Sequence, residues 1–197
     1  MRYETGHCGN HEVFVKIRVK SKWNKKDKER SPEEVGSALA FNLWRIAGAN
    51  VLHLENEGFQ TDTHHQRLDV IGELLAFFVH VVDRMVSAKE YTDEHRTALI
   101  TAIARSLAKT MHDNRRDVET EGDFKGTFID LLNQRMSEYA ELTFDASGPG
   151  FQMRRRCGDH VTKMMGAKDN KWVTDQVMDI EIPDALKTFE KVARSLL

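Results

Sequence analysis

Thirteen of the nineteen positions from Leu68 to Val86 are apolar, and the ionisable residues among them are Asp69, Glu73, His80, Asp83 and Arg84. At about 100° per residue, all five fall in one stripe about 100° wide, and the apolar residues fill most of the remaining circumference. The spacing predicts an α-helix from Thr63 to Ser87 that is buried on most sides. Its hydrophilic edge is either a narrow window onto solvent or the lining of an internal site.

The flanking patterns supply the neighbours such a helix needs. From Val13 to Lys22 apolar residues alternate with Lys16, Arg18, Lys20 and Lys22, the signature of one strand, and Trp23 to Arg30 continues as a charged linker. Ser31-Pro32-Glu33-Glu34 is a capping box with proline at the first helical position, starting a helix expected to reach about Glu57 before Gly58. Thr92 begins a third helix carrying Leu99, Ile100, Ile103, Leu107 and Met111, which frays at Asn114 to Glu121. Asp123 caps a fourth with Phe124, Phe128, Leu131, Leu132, Met136, Tyr139 and Leu142 inward, and Ser147-Gly148-Pro149-Gly150 breaks the chain. Three shorter helices are expected over Phe151 to Met165, Asp169 to Met178 and Pro183 to Leu197. The sum is an all-α protein: a helical bundle of four long helices plus about three shorter C-terminal helices, with a short N-terminal strand-like basic arm. The expected organisation is an arm and linker over residues 1–30 and one α-helical domain over residues 31–197, divided into a four-helix core (31–146) and a helical cap (151–197).

Composition agrees with a folded chain: 197 residues, 40% hydrophobic, 30% charged and three prolines. Cys8 and Cys157 form no ligand-spaced pair, so a reducing cytoplasm is the expected setting and no disulfide framework or zinc site is indicated. Met1 to Asn10 lacks the apolar core of a secretory signal, and the most hydrophobic window is too interrupted by charge to enter a membrane. Net charge is -2, but Lys16 to Arg30 holds eight basic residues against Asp27 and Glu29, a basic arm on an acidic body.

Candidate chemistry centres on the polar site Asp69, Glu73, His80, Asp83 and Arg84. Carboxylates and an imidazole on one face suit a carboxylate-bridged metal bundle, yet the Glu-x-x-His pairs of such sites are absent. The plainer expectation is a satisfied polar seam in which Arg84 pairs with Asp83 or with a carboxylate of another helix. His112-Asp113 resembles the metal-binding doublet of the HD phosphohydrolases. That resemblance implies one divalent ion, held with His80 and a later Asp, for phosphate-ester hydrolysis. The chain departs from it by following the doublet with Asn114-Arg115-Arg116 instead of a small Ile-Gly-Lys turn. His64 and His65, with the nearby His53 and Glu57, read as exposed polar positions near helix ends.

Lys16, Arg18, Lys20 and Lys22, extended by Arg154, Arg155 and Arg156, are candidate anion-binding residues, although the acidic body opposes a long nucleic acid. Met153, Met164, Met165 and Met178 are core residues or an adaptable partner surface. No phosphate-cradling loop, nucleophile elbow, cofactor motif or metal set stands out. The expected role is a cytoplasmic binding or interaction module without catalytic apparatus, self-associating through the arm or the Met-rich helices, with a metal-dependent hydrolase as the alternative.

Overall fold

In the computed structural model, residues 30–89, 91–166 and 170–197 are described. The strand-like arm and its Lys16, Arg18, Lys20 and Lys22 lie outside these residues. Four long helices come first: α1 (Pro32–Asn56), α2 (His64–Ser87), α3 (Asp93–Arg116) and α4 (Phe124–Ala140). Each starts where a short polar side chain can replace a missing backbone acceptor. Ser31 accepts from the Glu34 N–H at 3.2 Å while the Glu34 carboxylate accepts from the Ser31 N–H at 3.4 Å. Thr63, Thr92 and Asp123 accept from Gln66, His95 and Gly126 in the same way. Gly58, just beyond α1, adopts φ 93°, a left-handed turn that glycine enters without a Cβ clash.

At the expected break the chain makes a two-strand ladder, β1 (Phe144–Asp145) antiparallel to β2 (Gly148–Pro149), with Phe144 opposite Pro149. It then enters α5 (Phe151–Met165), which ends at Gly166 with φ 79°. The fold is therefore all-α, with the strands confined to this hairpin among the described residues. One expectation is corrected beyond it. The two final patterns do not form separate helices divided at Pro183; a short turn at Asn170–Trp172 leads into α6 (Val173–Gln176), a π turn (Val177–Glu181) and α7 (Ile182–Leu196) without interruption. Pro183 has no N–H to give and its ring crowds the preceding turn. The wider π turn just upstream, closed by the Ile182 N–H to the Val177 carbonyl, carries the chain through it.

Helix α2 is the axis of the molecule and packs against α1, α3, α4 and α5. Every residue from Val70 to Asp83 is buried, which only helices on all sides can achieve. Burial of each large apolar side chain contributes roughly 1.5–3 kcal/mol, so α2 is the main energetic reason for the bundle. Phe77 sits at its centre, edge-on to Phe78 at 5.6 Å and to Tyr139 at 5.7 Å. Among the described residues no helix is long and apolar enough to cross a membrane.

Helices α1 and α3 pack closely at Gly36. A Cβ there would lie 2.6 Å from the Ala102 Cβ and 3.1 Å from the Leu99 carbonyl oxygen. Neither neighbour is a flexible chain end, so the helices themselves would have to separate. Gly36→Ala is expected to destabilise the protein by about 1–3 kcal/mol in urea unfolding, although alanine favours an isolated helix. Unchanged or increased stability would show that the α1 and α3 contact can yield.

Candidate functional site

The hydrophilic edge of α2 faces neighbouring helices, each of which brings an arginine to it. Arg96 of α3 forks onto Asp83 with two bonds of 2.7 Å. Arg135 of α4 does the same to Glu73, at 2.7 and 2.8 Å, and both partners are buried. Asp69 is held by Arg115, which also bonds Glu119 at 3.2 Å, and Glu119 in turn lies 2.6 Å from His65 Nδ1. The expected pairing of Arg84 with Asp83 is corrected: Arg96 occupies both Asp83 oxygens, and the Arg84 guanidinium lies over the Phe144 ring at 5.7 Å. Residue 84 is near the end of α2, where the hairpin offers an aromatic face and α3 supplies the competing fork.

From Glu73 the polar contacts run deeper. Arg135 also donates to Glu138 at 3.0 Å, and the other oxygen of Glu138 is 2.7 Å from His160 Nε2 on α5. The buried Tyr139 ring lies between two imidazoles, 5.7 Å from His80 and 6.5 Å from His160. Burial pushes the Tyr139 hydroxyl and the Cys157 thiol well above their ordinary values, so neither is ionised near neutrality. Among the described residues neither ring nitrogen of His80 has a hydrogen-bond partner, and burial lowers its pKa to about 4, against a weaker upward pull from Asp83. His160 is also lowered, first by burial, with Glu138 acting the other way. These imidazoles are neutral elements of the interior.

Arg135, Glu138, Tyr139, Cys157 and His160 were not selected as site residues from sequence. A signal for two of them was present: Arg135 falls on the same stripe of α4 as Phe128, Leu132 and Tyr139, and His160 on that of Met153, Cys157 and Val161. An ionisable group within an apolar stripe needs a partner across the interface.

The HD-like reading requires His80 beside His112-Asp113. The pairs Asp69–Arg115 and Asp83–Arg96 fix α2 antiparallel to α3 with His80 level with about residue 100, some twelve positions or roughly 18 Å along the axis from His112. The His112 ring packs near Phe124 at 6.0 Å and Asp113 pairs with Lys109 on the outer side of α3. Among the described residues, no three His, Cys, Asp or Glu side chains are disposed to hold a metal. The hydrolase set is therefore dispersed.

A cleft of about 450 Å³ opens between α2, α3 and α4, floored by Gly72, Met111, Phe128 and Leu131. Asp69–Arg115 and Glu73–Arg135 form parts of its wall, so its guanidiniums are already engaged by carboxylates. Of the candidate anion-binding residues on α5, Arg155 and Arg156 are exposed and Arg154 is half-buried; Arg156 Nη1 is 3.9 Å from Glu138. Met153, Met165 and Met178 are buried in the core, the packing role expected for them, and offer no surface for a partner. No protein family, curated protein or solved structure matches this chain, and the functional reading rests on its own residues.

Two measurements probe this interior. Arg135→Met leaves Glu73 buried without its cation and is expected to cost about 3–5 kcal/mol in urea unfolding, while Glu73→Leu with Arg135→Met recovers most of that loss. Equal losses in the single and double variants would contradict a charge-pair origin. The low pKa of His80 makes stability fall as pH drops from the ordinary value of 6.5 toward 4, because the unfolded chain takes up the proton first. The loss reaches about 3 kcal/mol, and His80→Leu is expected to flatten that part of the stability profile. An unchanged slope would remove His80 as its source.

Proposed function

We propose that the chain is a helical interaction module that pairs with a second copy of itself through the outer face of α1. The observation that carries this reading is an apolar stripe on that helix left uncovered by the described residues: Phe41 is 63% exposed and Leu52 is 58% exposed. Arg45, Gly48 and Ala49 lie between them, and the spacing Phe41, Arg45, Gly48, Leu52 keeps these four within about 60° of one another around the axis. The Arg45 guanidinium already leans toward the Phe41 ring, 5.9 Å from its centre.

The stripe is self-complementary. Two copies of α1 related by a two-fold axis between Ile46 and Ala47 would set Phe41 of each against Leu52 of the other, and the same register brings Arg45 opposite Gly48. A Cβ at Gly48 would meet nothing within 4 Å among the described residues, so the glycine is not needed for packing against them. In the paired arrangement its missing side chain gives room to the large arginine opposite. An aromatic ring, an aliphatic side chain and a guanidinium stacked beside them form the desolvated centre expected of a small interface. The helix needs no rearrangement to present it, because α2, α3 and α7 hold α1 from the other side.

The test is the mass of the full chain by light scattering over a range of concentrations, alone and with Phe41→Glu or Leu52→Glu. The expected result is a dimer that either substitution converts to monomer with unchanged helical content, since both side chains are exposed. A chain monomeric at every concentration, or a dimer indifferent to both substitutions, would remove this reading. A complex formed only with a different protein would likewise replace self-association with a heterotypic partner.

A further inference from the structure

The π turn ahead of α7 turns Glu181 toward α1 and buries it there. Its Oε1 lies 2.6 Å from His53 Nδ1 and accepts from the Gln176 side-chain amide at 3.0 Å. Buried Asn50 donates to the Glu181 backbone carbonyl from the α1 side at 3.5 Å. π turns recur at functional sites because the inserted residue re-aims a side chain. Here the re-aimed group is a carboxylate behind a histidine.

A carboxylate at Nδ1 selects the tautomer that carries its proton there, leaving the lone pair of the neutral ring on Nε2. Nε2 makes no hydrogen bond to any described residue; Glu57 Oε1 stands 3.9 Å away, beyond bonding distance. The His53 side chain is 49% exposed and stands on a cleft of about 420 Å³ between α1 and α7. Ile46, Ala185 and Val192 give this cleft an apolar wall, Asn42 and Thr188 add uncharged polar groups, and Arg45 and Asp184 set one charge of each sign on its lining. Such a lining suits a small neutral molecule with one polar function.

We infer that the α1/α7 cleft is a site for small carboxylic esters, in which His53 serves as general base toward water and Glu181 is its positioning residue. In the step, Nε2 takes a proton from water as the water oxygen bonds to the acyl carbon and the carbonyl π electrons move onto its oxygen. The tetrahedral adduct then re-forms the carbonyl and breaks the bond to the leaving oxygen, which receives the proton back from the imidazolium. Water and ester are consumed, acid and alcohol are released, and the histidine is regenerated without an oxidant or reductant. Arg45, on the rim of the same cleft, is the cation available to the carbonyl oxygen. The Glu181 hydrogen bond and charge, with smaller contributions from Glu57 and Asp184, raise the pKa of His53 against the effect of burial, making the ring a stronger base than an ordinary histidine side chain. The site adjoins the Phe41–Leu52 stripe, with which it shares Arg45, while His53 itself lies about 120° around α1 from residue 41.

The test is hydrolysis of p-nitrophenyl acetate by the full chain, measured against pH and against free imidazole at equal concentration. The expected rate exceeds that of imidazole by about a hundredfold, the lower end of positioned acid–base catalysis, and rises with pH as His53 loses its proton. His53→Gln is expected to abolish the excess, and Glu181→Gln to move the midpoint of the pH profile downward. A His53–Glu181 pair that only ties α7 to α1 would lower the melting temperature on Glu181→Gln and leave both rate and midpoint unchanged. That result, a wild-type rate no greater than imidazole, or full activity in His53→Gln would overturn the assignment. If His53→Gln fails to fold, NMR titration of the His53 ring with and without saturating ethyl acetate decides: an ester-dependent shift at Nε2 supports the site, and its absence rejects it.

Discussion

The constraint on which the structure depends is that α2 has no free side over most of its length and yet carries charge. Removing a carboxylate from water costs several kcal/mol unless a well-placed cation and its hydrogen bonds replace the lost hydration. Arg96 and Arg115 of α3 meet Asp83 and Asp69, and Arg135 of α4 meets Glu73. A slip of α3 by one turn, about 5.4 Å, would separate both of its pairs at once. The apolar surface of α2 therefore supplies the energy of assembly, and its acids select one register for the neighbours.

This division explains what was legible in the residues. Capping side chains at Ser31, Thr63, Thr92 and Asp123 are local chemistry, and they mark the starts of the four long helices within the chain itself. The stripe on α2 was equally legible because its period belongs to one helix. Its partners were not, because Arg96, Arg115 and Arg135 lie 13, 46 and 62 residues away from the acids they meet, and no local pattern encodes that matching. Pro183 misled for a related reason. A proline read locally ends a helix, whereas the π turn that accommodates it depends on Glu181 and Ile182 being buried against neighbouring elements.

Helix α1 shows how one element serves several masters through its circumference. Gly36 faces α3, where a side chain has no room, while His53 turns to α7 and meets Glu181. Phe41 and Leu52 face outward, although one side of the same helix is fully committed to the core through Leu39, Leu43 and Leu54. A bundle of this size has apolar residues to spare on its surface, so an isolated exposed leucine carries no message. Two large apolar groups on one line, with a guanidinium and a bare glycine between them, are a different case. Their spacing of four, three and four residues reads the same in either direction, and that symmetry is what supports the proposed self-pairing.

His80 and His53 act in opposite senses on the same titration. His80 is buried with no hydrogen-bond partner among the described residues and resists protonation, so its contribution to stability is intact above the ordinary histidine value and is lost as pH falls toward 4. His53 is paired with Glu181 and favours protonation, so its contribution is complete below the ordinary value and is lost as pH rises through its elevated pKa. The two slopes meet near the ordinary histidine value of 6.5. A core histidine deprived of partners and a half-exposed one supplied with a carboxylate thus bound, from opposite sides, the range in which both tie-points of the bundle hold: α2 against α4 at Tyr139, and α1 against α7 at Glu181.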